Sequence, residues 1–221
     1  LKDWSNVIIP EEEEINERLE KARNKLVQQQ ILIMQKKLPV LVSFDGWGAA
    51  GKGSILGKII KNIDPRFFKV AVMDKPTEDE KRRPFLYRYV INIPEAGKFT
   101  FMDGGCLDEV TKQKLSGKIT DEEYKRKIES VKRFERQLSD NGYLVIKFFF
   151  HIGEQEQRKR LTRLLDDKNT RWRVSEYDLW QNQHYKKSLK AFDQFIDDTS
   201  QSIAPWYIVD ATDKKWAQLQ I

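Results

Sequence analysis

The sequence predicts a parallel α/β fold, in which a sheet of about five strands is wrapped by helices in three layers. Three observations point there. Short apolar runs alternate with helical segments along the whole chain. A glycine-rich turn, Gly46 to Gly53, joins the first apolar run directly to a helix. Hydrophobic residues make up 39% of the 221, enough for a packed core, and a single cysteine, Cys106, excludes a disulfide framework or a multi-cysteine metal site. One domain spanning 1–221 is expected, and because the chain opens on Leu1 instead of Met it is also read as a fragment of a longer one.

Pro10 and Glu11 to Glu14 open a helix, with proline and carboxylates at the positive end of its dipole. Ile15, Leu19, Ala22, Leu26 and Ile33 follow helical spacing toward Lys37, so an N-terminal helical segment fills 1–38. Pro39 to Asp45 reads as a strand buried on both faces. Ser54 to Ile63 is a helix, Phe68 to Met73 a strand, the stretch around Phe85 to Ile91 helical and Lys98 to Met102 a strand. The capping box of Thr120 and Glu123 opens a helix to Leu138, closed by Asn141-Gly142. Tyr143 to His151 is the fourth strand, Glu154 to Leu165 a helix, Asp166 to Arg173 a polar cationic segment, and Ser175 toward Asp198 one helix. Ile203 to Asp210 supplies the fifth strand, and Asp213 starts a last helix.

No apolar run reaches the eighteen or so residues of a membrane span, and no secretory leader precedes the first helix, so a soluble protein of the cytoplasm is expected. Lys plus Arg number 40 against 34 Asp plus Glu. The cations gather at Lys81 to Arg83, Arg158 to Arg163 and Arg171 to Arg173, as suits a polyanion, while no nucleic-acid recognition motif appears.

The turn reads Gly46-Trp47-Gly48-Ala49-Ala50-Gly51-Lys52-Gly53-Ser54, the Walker A phosphate-loop spacing. Glycines let backbone N–H groups curl around phosphate oxygens, and the lysine reaches the terminal phosphates. Gly53 stands where a Ser or Thr usually follows the lysine, which removes the customary magnesium hydroxyl from that position. Asp103, at a strand end where ligands of α/β sheets gather, is the expected metal residue. His151, ending an apolar strand, reads as a buried, satisfied histidine, His184 as exposed and Cys106 as incidental.

From Pro39 to the last residue the chain resembles the polyphosphate kinase type 2 family of P-loop kinases. The likeness rests on the loop, Ile63-Asp64-Pro65-Arg66, Pro76 to Glu80, Pro84 to Arg88, Phe150-His151-Ile152 with Glu154 to Arg158, Arg171-Trp172 and Ala204-Pro205-Trp206-Tyr207. It implies a P-loop kinase-like three-layer fold with a helical lid over about 153–175, and a phosphotransferase working between inorganic polyphosphate and a nucleoside mono- or diphosphate. It implies Mg2+ as cofactor and a homo-oligomer as assembly. By this resemblance Lys52, Asp103, Arg158 and Arg171 are catalytic, Gly46, Gly48, Ala49, Ala50, Gly51, Lys52, Gly53 and Ser54 bind phosphate, Asp103 holds the metal, and Lys81, Arg82, Arg83 and Arg88 line a polyphosphate track.

The chain also departs from the family. The family's loop usually reads Gly-x-Asp-Ala-Ala-Gly-Lys-Gly, and here the aspartate position is Gly48; its second acidic motif, Asp-Arg-Ser-Trp-Tyr, is Asp103-Gly104-Gly105-Cys106-Leu107. Asp45 and Asp108 are the replacement carboxylates nearest in sequence, with a capping role favoured for Asp45. The alternative reading is a domain that keeps the fold and serves a structural or partner-binding role, such as one half of a tandem protein.

Overall fold

In the computed structural model, which describes residues 9–73 and 75–221, five strands form one sheet, all parallel. They are β1 Val40–Gly46, β2 Phe68–Val72, β3 Phe99–Asp103, β4 Leu144–His151 and β5 Trp206–Asp210. Their spatial order is β2-β3-β1-β4-β5, so β1 lies at the centre, paired with β3 and β4 on either side. Central position explains its composition: Val40, Leu41, Val42 and Phe44 are all buried, because helices cover both faces. The chain reverses direction beside β1, and the crevice at the carboxyl ends of β1 and β3 is where open parallel sheets bind ligands.

Ten helices surround the sheet among the described residues: α1 Glu12–Gln35, α2 Lys52–Ile60, α3 Glu78–Arg82, α4 Tyr87–Val90, α5 Cys106–Leu115, α6 Asp121–Asp140, α7 Glu154–Asp166, α8 Glu176–Gln183, α9 Tyr185–Thr199 and α10 Lys214–Gln220. The larger core cluster joins β1 and β4 to α9 and α10 through Phe44, Phe149, Phe192, Phe195 and Ala217; a second gathers around Leu41, Tyr89, Met102, Leu138 and Val145.

Several expectations change. Residues 1–8 of the expected 1–38 segment lie outside the described residues, and Ala22 of the expected apolar stripe is exposed. The helix expected from Ser175 to Asp198 is two helices that part at His184 (φ −115°, ψ 37°). There the ring stacks on Trp180 and its Nδ1 lies 3.0 Å from the Trp180 carbonyl oxygen. The break lets α8 turn its buried Gln181 and Asn182 to the phosphate loop while α9 buries Phe192 and Phe195 in the core. Two helices were not foreseen. α3 is opened by a capping box of Thr77 and Glu80, and α5 begins at Cys106 behind two glycines. The helical stretch of 85–91 contracts to α4, and β5 starts at Trp206 instead of Ile203, since Pro205 has no N–H for the ladder.

Candidate functional site

The phosphate loop is pinned at one side chain. Trp47 is fully buried, stacked on Tyr185 at 4.1 Å, set edge-on against Phe192, and its indole N–H donates to His151 Nδ1 at 3.2 Å. That bond needs an unprotonated acceptor, and burial pushes the His151 imidazole down to about 4. On either side the backbone bends through left-handed conformations at Gly46 (φ 138°), Ala49 (φ 61°) and Gly51 (φ 95°). Glycine is required at 46, where a Cβ would run into the backbone of Phe150. Ala49 holds the same region with a Cβ, at some strain.

Lys52, the first residue of α2, folds back so that its ammonium donates to the carbonyls of Gly46 and Trp47, both at 3.1 Å. It lies at a helix N-terminus, where free N–H groups and the dipole favour anions. Arg160 of α7 clamps the loop from outside. It donates to the carbonyls of Ala49 (3.4 Å) and Ala50 (3.2 Å) and, after β5, to those of Ala211 (2.9 Å) and Thr212 (2.7 Å). Buried Gln181 accepts from Gly48 N–H at 2.9 Å and from Gln157 Nε2 at 2.8 Å, and Asn182 donates to Gln157 at 3.0 Å. Through these amides α7 and α8 are latched to the loop.

Carboxylates stand against the glycines. Asp103, at the end of β3, places Oδ2 3.2 Å from where a Cβ on Gly53 would lie. Asp178 of α8 occupies the space that a side chain at Gly48 would fill, with Oδ1 at that spot and Oδ2 accepting from Ser175 N–H (2.8 Å) and Oγ (2.7 Å). Asp45, at the end of β1, accepts from Gly105 N–H (2.9 Å) just before α5 and from Ser43 Oγ (2.7 Å), and its closeness leaves no room for a Cβ at Gly105. Burial pushes the Asp45 carboxyl up to about 6, with Asp108 adding to the rise and the Ser43 bond and Lys52 opposing it. Asp108, on the first turn of α5, is also raised by burial; Lys52 and Lys112 offset this and Asp178 adds to it. The Cys106 thiol is pushed well up by burial and by Asp45.

A cleft of about 1030 Å³ lies between α5, α8 and the segment after β2, with Asp108 and Gly105 on its wall. Lys81, Arg88, Lys112, Asp108, Tyr177 and Trp180 contribute to its lining. The four cations expected to form one track are thereby divided. Lys81 and Arg88 face the cleft, but Arg88 is only 8% exposed and lies within ion-pair range of Glu80 and Glu109. Arg82 is exposed away from it, while Arg83 pairs with Asp79 and covers the Tyr87 ring. Arg158 bonds Glu154 at 2.8 Å and Asn182 at 3.3 Å instead of loop atoms, and Arg171 is exposed on a short 3-10 turn after α7. Asp178, Arg160 and Gln181 escaped sequence reasoning. Their only local signals were a capping box, Ser175 to Asp178, and a charged helix, neither of which tells what the side chain meets.

The model of the family Polyphosphate kinase 2 (PPK2) matches residues 10–221. The chain belongs to that family. It is 31% identical over 186 residues, 84% of its own length, to a polyphosphate:AMP phosphotransferase of Pseudomonas syringae pv. tomato, of which it covers 37%. It is 29% identical over 180 residues, 81% of its length, to ADP-polyphosphate phosphotransferase 3 of Rhizobium meliloti, of which it covers 63%. The chain thus spans from about a third to less than two thirds of these relatives. Among solved structures it is similar to a putative polyphosphate kinase 2 of Pseudomonas aeruginosa (27% identity, TM-score 0.89, 96% of this chain and 46% of that one) and to polyphosphate kinase 2 of Arthrobacter aurescens (26%, 0.86, 91% and 73%). The P-loop kinase fold expected from the sequence is therefore present. No helix among the described residues is long and apolar enough to cross a membrane.

Proposed function

We propose that the chain transfers a phosphoryl group between inorganic polyphosphate and a nucleoside mono- or diphosphate. The observation that carries this reading is the phosphate loop itself: Lys52 at the start of α2, with the carboxylates of Asp103 and Asp178 set against two of its four glycines, Gly53 and Gly48. Phosphoryl transfer asks for positioning and charge neutralisation, with little covalent chemistry by the protein. The relatives named for polyphosphate with AMP or ADP support the substrate classes.

Residues 46–54 cradle the phosphates through backbone N–H groups, and Lys52 exchanges its two carbonyl partners for phosphate oxygens. The cleft takes the nucleotide. Tyr177 and Trp180 give apolar ring faces for a base, and Lys81 and Lys112 give positive charge for its phosphates. An oxygen of the nucleotide's terminal phosphate attacks the terminal phosphorus of the polymer, the anhydride bond breaks, and a chain one phosphate shorter leaves; no covalent enzyme intermediate is needed. Arg158 and Arg171, on and after α7, belong to a lid over 153–175 that brings cations to the transferring group.

The donor set fits magnesium. Mg2+ is held by one or two carboxylates together with substrate phosphates and water, and Asp103 and Asp178 offer hard oxygens at the loop; among the described residues no group of three or more acidic, His or Cys side chains forms a complete protein cage. Held by these carboxylates, the ion would neutralise charge on the phosphoryl oxygens.

The test is phosphorylation of AMP, ADP, GMP and GDP by the purified chain with polyphosphate and Mg2+, beside Lys52→Ala. Turnover that falls about 100-fold or more in the variant is expected. A folded chain that turns over none of the four overturns the enzyme reading and leaves a structural or partner-binding role.

A further inference from the structure

A second polar hollow lies at the other end of α2. It measures about 570 Å³ where α1, α2 and α10 meet, and Arg23, Lys58, Lys61 and Lys215 line it together with Glu20 and Gln218. Four cations thus face one carboxylate. Lys215 is paired with Glu12 at 2.5 Å, whereas Arg23, Lys58 and Lys61 enter no ion pair among the described residues. That is unlike much of this surface, where Lys21, Lys81, Lys98 and Arg158 each hold a neighbouring glutamate. Gln218, only 8% exposed, closes the hollow on the α10 side.

The hollow is connected to the phosphate loop by one face of a helix. Ser54, Lys58 and Lys61 follow the i, i+4, i+7 spacing that aligns side chains along a helix. Gly53 and Ser54 are exposed beside the loop, and at Gly57 there is open space where a side chain would stand. α2 has nine residues, so the face is about 13 Å long. It leads from the loop, across a stretch without bulky side chains, to the unpaired cations.

We propose that this hollow anchors the distal part of a linear phosphate polymer whose reacting end lies in the loop. The inference rests on the reading that the chain handles polyphosphate. Only a ligand that is both repeating and anionic brings negative charge to both places; a single phosphate in the loop ends short of the hollow, and the far end of a nucleotide is uncharged. Flexible ammonium groups suit it, since they follow a polymer of variable register as point charges and do not demand a fixed fork geometry. A second contact on the same molecule raises affinity through effective concentration without changing the chemistry at the first. Long chains are therefore held more tightly than short ones, and the difference belongs to Arg23, Lys58 and Lys61.

The experiment measures binding of long-chain polyphosphate and of tripolyphosphate to the whole chain, to Arg23→Glu/Lys58→Glu/Lys61→Glu, and to the milder Lys58→Gln/Lys61→Gln, with thermal melting as the check on folding. The expected result is a loss of about tenfold or more in long-chain affinity for the charge-reversed protein, a smaller loss for the neutral one, and unchanged tripolyphosphate binding in both. Long-chain affinity that is the same in all three overturns the anchor and leaves the proposed activity standing. No binding of either polymer to the unaltered chain overturns both. Single-stranded RNA that competes on equal terms, and is lost in the same variants, makes the hollow a general polyanion patch and overturns its assignment to polyphosphate.

Discussion

Two groups of buried charge share one face of the sheet, and they are handled in opposite ways. Away from the loop, Lys147 of β4 and Glu135 of α6, both about 95% buried, meet at 2.9 Å through both carboxylate oxygens. The ammonium donates further to the Thr199 carbonyl at 3.0 Å and lies over the Trp206 ring, while Gln201 donates to the carboxylate at 3.2 Å. Every charge there is matched inside the fold. At the loop, Asp45 and Asp108 both feel Lys52, yet that lysine bonds to backbone carbonyls instead of to either of them. Neither they nor Asp178 enter an ion pair among the described residues, and their charge awaits something brought from outside. Structure closes its charges; the proposed site for phosphate and metal leaves them open.

The sharpest break of this comparison is Glu135→Ala, which strands the Lys147 ammonium in the core. A loss of about 3–5 kcal/mol of stability is expected, read by denaturant unfolding. A cost below about 1 kcal/mol would mean the pair is not a closed structural unit.

Next comes the carboxylate at Gly48. Asp178→Asn keeps the acceptor for Ser175 and removes the charge, so phosphotransfer should fall about 100-fold, equal to about 2.7 kcal/mol in the barrier, with the melting temperature little changed. Gly48→Asp should also fail, since its side chain meets Asp178; joined to Asp178→Ala it should recover at least about tenfold over either single variant. Recovery would identify the two positions as one carboxylate site reached by two routes.

The smallest effect depends on pH. The Asp45 carboxyl titrates near 6 in the folded chain against an ordinary value of 3.8, so the folded state binds its proton more tightly. Stability from this group is full below about pH 4 and is lost as pH rises through 6. Asp45→Asn removes that loss while keeping hydrogen bonds to Gly105 and Ser43, so its stability relative to the unaltered protein should grow by about 2 kcal/mol between pH 4 and 7. A difference that stays flat over this range would show that the Asp45 carboxyl titrates in the folded chain as it does in the unfolded one.

Most of the fold was legible in the sequence because its signals are local. Central strands read as apolar runs, the Thr120 capping box announces α6, and the glycine spacing announces the loop. α5 was hidden because Gly104 and Gly105 look like a turn, and the break at His184 because a helical pattern continues through it. The site was legible only in part, for a different reason. Lys52 and Asp103 follow from motif and strand end, but Asp178 reaches the loop from 130 positions away, and nothing in Gly48 states what will stand in its place. Three glycines, 48, 53 and 105, are each defined by a carboxylate that another segment delivers, so a missing side chain in the motif marks a place where tertiary structure supplies the group.

Arg160 gives the loop a mechanical property. One guanidinium grips four backbone carbonyls, two in the loop and two beyond β5, while its own helix carries the segment proposed as a lid. α7 can swing only by releasing those four grips or by dragging Ala49 and Ala50 along, which makes the helix a lever with its fulcrum at the end of the sheet. The curvature of the phosphate cradle and the angle of the lid are then a single coordinate, and a ligand that tightens one necessarily reports to the other.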